Sequence, residues 1–348
     1  MGSIQPPQRI LVTGANGFIG AHCVANLLSD GFQVVGTVRN EDKAQKVAKQ
    51  HSFNPALSLS IVPDVTDPHA FDIAIQGCNG VLHLASPFGY TYTDFEKELL
   101  IPSINGTRSI CNAASKTPSV QRVVITSSFA AVFDASAGPS PDRVYTEKDW
   151  SPLTYDMGKN GTATPVAYRA SKVLAEKTAW DFLEQEKPHW DLVTLCPGMV
   201  FGPLFPGTID KLKDLNTSNG LVWGLFDADN IPETKAPLWT SITALARAHT
   251  LALTTKKAGN ERFLVLSGEF DNQELADIIH ASTSIPPAIK VRVPVGEKGG
   301  RHKEKSFTAD SSKVAEVLDL DLKRRDKSLE ETVVALVQQL LALEQETL

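Results

Sequence analysis

The sequence predicts an α/β fold, a doubly wound parallel sheet with a smaller C-terminal region. Three observations carry that expectation. Short apolar runs alternate with helix-length segments along the first two hundred residues. The runs are continuously apolar, as strands covered on both faces require. The first of them stops at a glycine turn that opens directly into a helical pattern. In order, Arg9-Ile-Leu-Val-Thr13 is the first strand and Phe18 to Ser29 the first helix; Gln33-Val-Val-Gly-Thr-Val38, the helix Glu41 to Gln50 and the strand Leu59-Ser-Ile-Val62 repeat the unit. Further strands are expected at Gly80 to Leu84, Gln121 to Thr126 and Asp191 to Leu195, with helices from about Asp94 to Ser115 and from Tyr168 to Glu186. After Pro197-Gly198 the periodicity weakens, and the stretch to Pro237 is rich in Gly, Pro, Asn and Asp. The segments Ser241 to Leu253 and Arg262 to Leu266 read as a return to the sheet, and Gln273 to Ser282 and Leu329 to Glu344 as amphipathic helices. The expected division is therefore 1–198, with return segments near 238–267, for the sheet domain, and 199–237 with 268–348 for a smaller, substrate-binding region.

Composition narrows the function. The chain has 348 residues, 42% hydrophobic and 21% charged, which excludes disorder, collagen and coiled coil as whole-chain readings. A net charge of −6 supplies no global positive field for nucleic acid or an anionic membrane surface. Cys23, Cys78, Cys111 and Cys196 are widely spaced, so they read as reduced thiols, with neither a disulfide framework nor a metal site. No apolar run approaches the roughly 18 residues of a membrane helix, and the opening Met-Gly-Ser-Ile-Gln-Pro-Pro resembles no signal peptide. Pro6 stands where myristoylation of Gly2 would need Ser or Thr. A cytoplasmic protein is expected, and the sequons at Asn105, Asn160 and Asn216 then read as structural asparagines.

Gly14-Ala15-Asn16-Gly17-Phe18-Ile19-Gly20 lies between the first strand and the first helix, the place of a pyrophosphate cradle. Gly14 allows the tight turn, Gly17 lets backbone N–H groups approach phosphate, and Gly20 lets helix and strand pack closely. These features make the sheet Rossmann-type. An NAD enzyme places an acid after the second strand; here Arg39 stands there, with Lys43 one helical turn on, and two cations suit the 2′-phosphate of NADP(H). Asp64-Val65 is placed to meet adenine, and Ala85-Ser86 to line the cofactor floor.

Tyr168-Arg-Ala-Ser-Lys172 puts a phenol and an ammonium on one helix face. A neighbouring cation and an oxidised nicotinamide both favour the phenolate, so Lys172 is expected to lower the Tyr168 pKa and make it a usable acid. Ser127-Ser128 ends the fifth strand, and either hydroxyl could bind a substrate carbonyl oxygen. Pro197-Gly198 ends the next strand on the nicotinamide side. Glycine loop, serine pair, Tyr-x-x-x-Lys and Pro-Gly occur in that order along the chain.

Through T-G-A-N-G-F-I-G, V-L-H-L-A-S-P-F, T-S-S-F-A-A-V-F-D and L-N-T-S, the chain resembles the extended short-chain dehydrogenase/reductases from about Arg9 to the C-terminal helix. Within them it is most similar to the fungal NADPH-dependent aldehyde and ketone reductases of the methylglyoxal reductase and dihydroflavonol-reductase-like group. The resemblance implies that Ser128 is the catalytic serine, Tyr168 the acid and Lys172 its partner. It also implies that Gly14 to Ile19, Arg39, Lys43, Asp64, Val65 and Val200 hold NADPH, with Ser218 near it and Asn105 supporting the active-site helix. One departure stands out: relatives carry a stretch like V-D-V-R-D where this chain has Trp239-Thr-Ser-Ile-Thr-Ala244, so the family ion pairs cannot form there.

Phe88, Tyr90, Phe129, Phe133, Val166, Met199 and Phe205 fall at strand ends or in the loops that follow, where a hydrophobic pocket for an uncharged aldehyde or ketone would form. His83 reads as a packed core histidine. The expected function is NADPH-dependent reduction of a carbonyl to an alcohol by a monomer or homodimer. The alternatives are an epimerase or dehydratase that recycles its cofactor within one turnover, and a redox sensor that binds NADP without turnover.

Overall fold

The computed structural model describes residues 3–86, 92–138, 140–300, 306–322 and 327–347. Strands β1 (Arg9–Thr13), β2 (Gln33–Val38), β3 (Leu57–Ile61), β4 (Gly80–His83) and β5 (Arg122–Thr126) are joined by Asp191–Pro197 and Glu261–Val265. Among the described residues they form one seven-stranded sheet in the order β3, β2, β1, β4, β5, Asp191–Pro197, Glu261–Val265, with every pairing parallel. Such strands need cover on both faces. Helix α1 (Phe18–Ser29) and the helix Ile242–Thr254 cover one, around Val24, Leu27, Leu245 and Leu253. Helix α3 (Ile101–Ser115) and the helix Thr164–Glu186 cover the other, around Ile110, Ala114 and Ala179. Helix α2 (Glu41–Gln50), between β2 and β3, adds Ala44 and Val47 to the first face.

Most elements shift by a few residues from the expected bounds, and two helices differ for evident local reasons. The helical stretch before Ser115 opens with a π-helical turn, Glu96–Leu100, before α3 begins; Pro102, which has no N–H to donate, sits in the first turn of α3. The later helix starts at Thr164 because Pro165 is accommodated in its first turn.

Beyond Pro197 the chain builds a second sheet in which Leu238–Ser241 lies between Met199–Phe201 and Gly268–Glu269. Phe201, Trp239 and Phe270 carry its apolar face onto the helices Asn272–Ala281 and Leu329–Thr347. Hydroxyls at Trp239 to Ala244 link the second sheet to its surroundings. Thr240 Oγ1 accepts the Gly198 N–H at 3.0 Å and donates to the Val265 carbonyl at 2.5 Å. Ser241 caps the following helix by accepting the Ala244 N–H at 3.1 Å.

A buried charge pair ties the amino ends of the strands together. Arg122 opens β5 opposite Asp191 in the neighbouring strand. Its Nε and Nη2 reach the two carboxylate oxygens at 2.5 and 2.9 Å. Nη1 donates to the Ala252 and Thr255 carbonyls, both at 2.7 Å, so the same cation faces the negative end of the helix Ile242–Thr254. Arg122→Ala strands the Asp191 carboxylate in the interior and is expected to cost about 3–5 kcal/mol of unfolding free energy, read from equilibrium urea denaturation. A loss below about 1 kcal/mol would show that the pair is dispensable.

Candidate functional site

The strand order reverses between β1 and β4, so the connections leave on opposite faces and a crevice opens at the carboxyl ends of these two strands. The glycine loop follows β1 and Ala85-Ser86 follows β4, which places both at that crevice. Gly14 has φ of +70°, and a Cβ there would lie 3.2 Å from the Ala85 backbone. A Cβ at Gly20 would lie 2.2 Å from the Gly14 carbonyl oxygen, closer than any side chain permits. Gly17 is the N-cap of α1 and offers no side-chain acceptor. The N–H groups of Phe18, Ile19 and Gly20 therefore have no acceptor among the described residues. Asn16 is partly exposed in the turn. Ala15 departs from its expected role: it is fully buried and gives its N–H to the Thr37 carbonyl at 3.1 Å, so it secures the loop against β2.

Arg39 leaves β2 exposed, and Asn40 caps α2 by accepting the Lys43 N–H at 3.0 Å, which fixes Lys43 one turn further on. Neither cationic head has a hydrogen-bond or ion-pair partner among the described residues. Asp64 is exposed and accepts the Thr66 N–H at 2.8 Å, while Val65 packs on α3 at Gly106. Free N–H groups at the head of α1 and two unpaired cations beyond β2 are the donors a phosphorylated dinucleotide requires, so the residues present fit such a cofactor.

Tyr168, Lys172 and Glu176 follow at steps of four along one face of the helix Thr164–Glu186. The Tyr168 phenol hydrogen-bonds Ser128, whose Oγ also accepts the Ala130 N–H at 3.1 Å. Lys172 Nζ donates to Ser86 Oγ at 3.2 Å and sits 5.8 Å from the Tyr168 ring centroid. Burial lowers Lys172 to about 8 and raises Tyr168, with Ser128 opposing the rise. Burial thus holds the Tyr168 phenol toward its protonated form.

Ser127, the other serine, faces inward. Its hydroxyl donates to Glu176 at 2.6 Å, and the same carboxylate accepts Arg262 Nε at 2.7 Å and Nη2 at 3.1 Å. Arg262 further lies 3.8 Å over the Trp150 ring and donates to the Glu147 carbonyl at 2.9 Å. Sequence reasoning overlooked Glu176 and Arg262; the four-residue step beyond Lys172 was the available signal. Cys196 beside this carboxylate is pushed up to about 12 by burial, which leaves it an inert thiol.

At the other end of the crevice, Pro197 is buried, and a Cβ at Gly198 would lie 2.4 Å from the Leu238 carbonyl oxygen. Val200 and Ser218 meet directly, the Val200 N–H donating to Ser218 Oγ at 3.1 Å. Asn105 lies on α3, partly buried. Of the expected pocket residues, Phe88 and Tyr90 lie outside the described residues, and Val166 and Met199 are partly buried. Phe129 and Phe133 stack at 5.6 Å within a buried cluster that includes Tyr145 and Phe307. Phe205 is partly buried, stacks on His51 at 4.8 Å and meets His22 edge-on at 5.6 Å, which holds it against the ends of α1 and α2.

A nucleotide-binding edge and a Ser-Tyr-Lys cluster on a parallel sheet define a class of dinucleotide-dependent enzymes. The chain matches the NAD dependent epimerase/dehydratase family over residues 10–265, and it belongs to that family. It is 34% identical to the NADPH-dependent methylglyoxal reductase of Saccharomyces cerevisiae, over 93% of this chain and 96% of that one. A ketoreductase of Aspergillus niger is 33% identical, over 97% of this chain and 100% of that protein. The crystal structure of the yeast methylglyoxal/isovaleraldehyde reductase complexed with NADPH superposes with a TM-score of 0.89 at 33% identity, covering 97% of this chain and 99% of that chain. Among the described residues no helix is long and apolar enough to cross a membrane.

His83 closes β4 below Lys172 and is held neutral. Thr13 Oγ1 accepts the Leu84 and Ala85 N–H groups, each at 3.0 Å, so its own hydrogen goes to His83 Nδ1, also at 3.0 Å. Burial, with Lys172 nearby, lowers His83 to about 3; burial lowers His249 to about 4. Both folded values lie below the ordinary 6.5, so the unfolded chain binds the protons first and stability falls as pH drops below about 6.5. The expected slope is about 1.4 kcal/mol per pH unit per histidine, measured by urea denaturation from pH 7.5 to 5. His83→Asn, which can keep the Thr13 bond, is expected to flatten the decline; an unchanged slope would show that His83 carries no such linkage.

Proposed function

We propose that this protein is an NADPH-dependent carbonyl reductase that converts an aldehyde or ketone to the alcohol, with Ser128, Tyr168 and Lys172 as its catalytic residues. The observation that carries the reading is the Tyr168–Ser128 hydrogen bond beside Lys172, at the same strand ends as the uncapped head of α1. The Phe18 and Ile19 N–H groups would hold the pyrophosphate, Arg39 and Lys43 the 2′-phosphate, and Lys172 with Ser86 the nicotinamide side. Bound NADPH supplies the hydride. Ser128 and Tyr168 donate hydrogen bonds to the carbonyl oxygen as negative charge develops on it, and Tyr168 gives up its proton. Burial that keeps the phenol protonated suits a donor, and the Lys172 ammonium, held against its ring, favours the phenolate left behind. Methylglyoxal-like dicarbonyls are a substrate class consistent with the similarity to the yeast reductase.

Tyr168→Phe removes the proton donor and is expected to lower kcat by about 10²-fold or more while NADPH binding, followed by fluorescence titration, stays within a few-fold. Comparable activity in this variant would remove Tyr168 from the mechanism. Arg39→Ala is expected to weaken NADPH binding at least tenfold relative to NADH, since only NADPH carries the phosphate that the cation meets. Equal weakening of both would place Arg39 outside the cofactor site.

A further inference from the structure

The reductase reading requires Ser128 and Tyr168 to stay together although they stand on separate elements. Ser128 follows β5 and caps the short helical turn Phe129–Ala131, whereas Tyr168 stands on the helix Thr164–Glu186. The two residues just before Ser128 grip the helix layers on both sides of the sheet. Thr126 Oγ1 and His249 Nε2 meet at 2.6 Å, and His249 Nδ1 lies 2.8 Å from the Leu245 carbonyl. The carbonyl can only accept, so Nδ1 carries the ring hydrogen and Nε2 accepts from Thr126. On the other side, Ser127 Oγ donates to Glu176 Oε2 at 2.6 Å, two turns beyond Tyr168 on the same helix. Glu176 cannot turn to follow a shifting Ser127. Its side chain is fully enclosed, and Arg262 holds both oxygens, Nε to Oε1 at 2.7 Å and Nη2 to Oε2 at 3.1 Å. Ser127 is buried and pinned by its own N–H, which donates to the Leu195 carbonyl at 2.8 Å. The hydroxyl bond therefore joins two immobilised groups. Packing does not brace the same place: a cavity of about 20 Å³, room for about one water, lies beside the bond and is lined by Ser86, Ser103, Ser127, Lys172 and Glu176.

We propose that Ser127 is a positioning residue: its bond to Glu176 sets the end of β5 against the helix Thr164–Glu186 and so holds the Ser128 hydroxyl at the Tyr168 phenol. Enclosed by protein, Ser127 acts through Ser128. The role rests on the reductase reading, in which Ser128 and Tyr168 together serve the carbonyl oxygen. A displacement of about 1 Å between two such groups is enough to cost about 10²-fold in rate.

The test is a kinetic double-mutant cycle, followed by NADPH oxidation with methylglyoxal and isovaleraldehyde. Ser127→Ala is expected to lower kcat about tenfold or more, while the dissociation constant for NADPH, from fluorescence titration, stays within about threefold. Ser127→Thr, which keeps the donor, is expected to bring kcat back within about threefold of wild type. On a Ser128→Ala background, adding Ser127→Ala is expected to change kcat less than about twofold, because the group being positioned is already gone. A loss of the same size on both backgrounds would overturn the role, since it would show general damage. So would a Ser127→Ala enzyme with wild-type kcat, a Ser127→Thr enzyme as impaired as Ser127→Ala, or a Ser127→Ala chain that fails to fold, which would make the bond a support of stability. Each of these outcomes leaves the reductase reading standing. Absence of NADPH oxidation by the wild-type protein with both aldehydes would overturn the reductase reading and this role with it.

Discussion

The contact between Gly20 and the Gly14 carbonyl oxygen is the constraint from which the site follows. With no side chain in the way, the head of α1 settles against the end of β1 and presents its first-turn N–H groups to the crevice where strand order reverses. The same seating lets α1 pack on the helix Ile242–Thr254, whose terminal carbonyls receive Arg122, whose other face grips Asp191. A steric requirement at one end of the sheet and an electrostatic one at the other hold the same layer of helix against the same strands.

The second anchor lies under the cluster of Ser128, Tyr168 and Lys172. Glu176 is enclosed two turns below Tyr168 and is satisfied by Ser127 and Arg262, with the Cys196 thiol against it. An uncompensated carboxylate there would be costly, so the pair with Arg262 is required once the charge is buried. Because Ser127 and Ser128 are neighbours, a bond that orients the first inward leaves the second facing the crevice. The helix bearing Tyr168 and Lys172 is thereby tied both to the end of β5 and to the outermost strand of the sheet.

Local pattern made much of this legible. The bounds of α1, β2 and α2 follow from apolar spacing, and the glycine loop, Arg39, Lys43, the Ser127-Ser128 pair, Tyr168 and Lys172 announce themselves by position after a strand or on a helix face, while the choice of Ser128 came from the family resemblance. What the pattern hides is pairing across distance. Arg122 and Asp191 are 69 residues apart, and Glu176 and Arg262 are 86 apart, so nothing near either residue marks it as buried and paired. Aromatic residues are equally unmarked: Phe205 could pack wherever a ring fits, and His22 and His51 provided the place.

The central claim is that hydride leaves the protein in the product, instead of returning to the cofactor as in an epimerase or dehydratase built on the same sheet. The stoichiometry of NADPH oxidised to alcohol formed, with purified protein and a carbonyl substrate, measures this directly. The account requires one NADPH consumed per alcohol produced. Conversion of substrate with no net change at the reduced-nicotinamide absorbance band would contradict it.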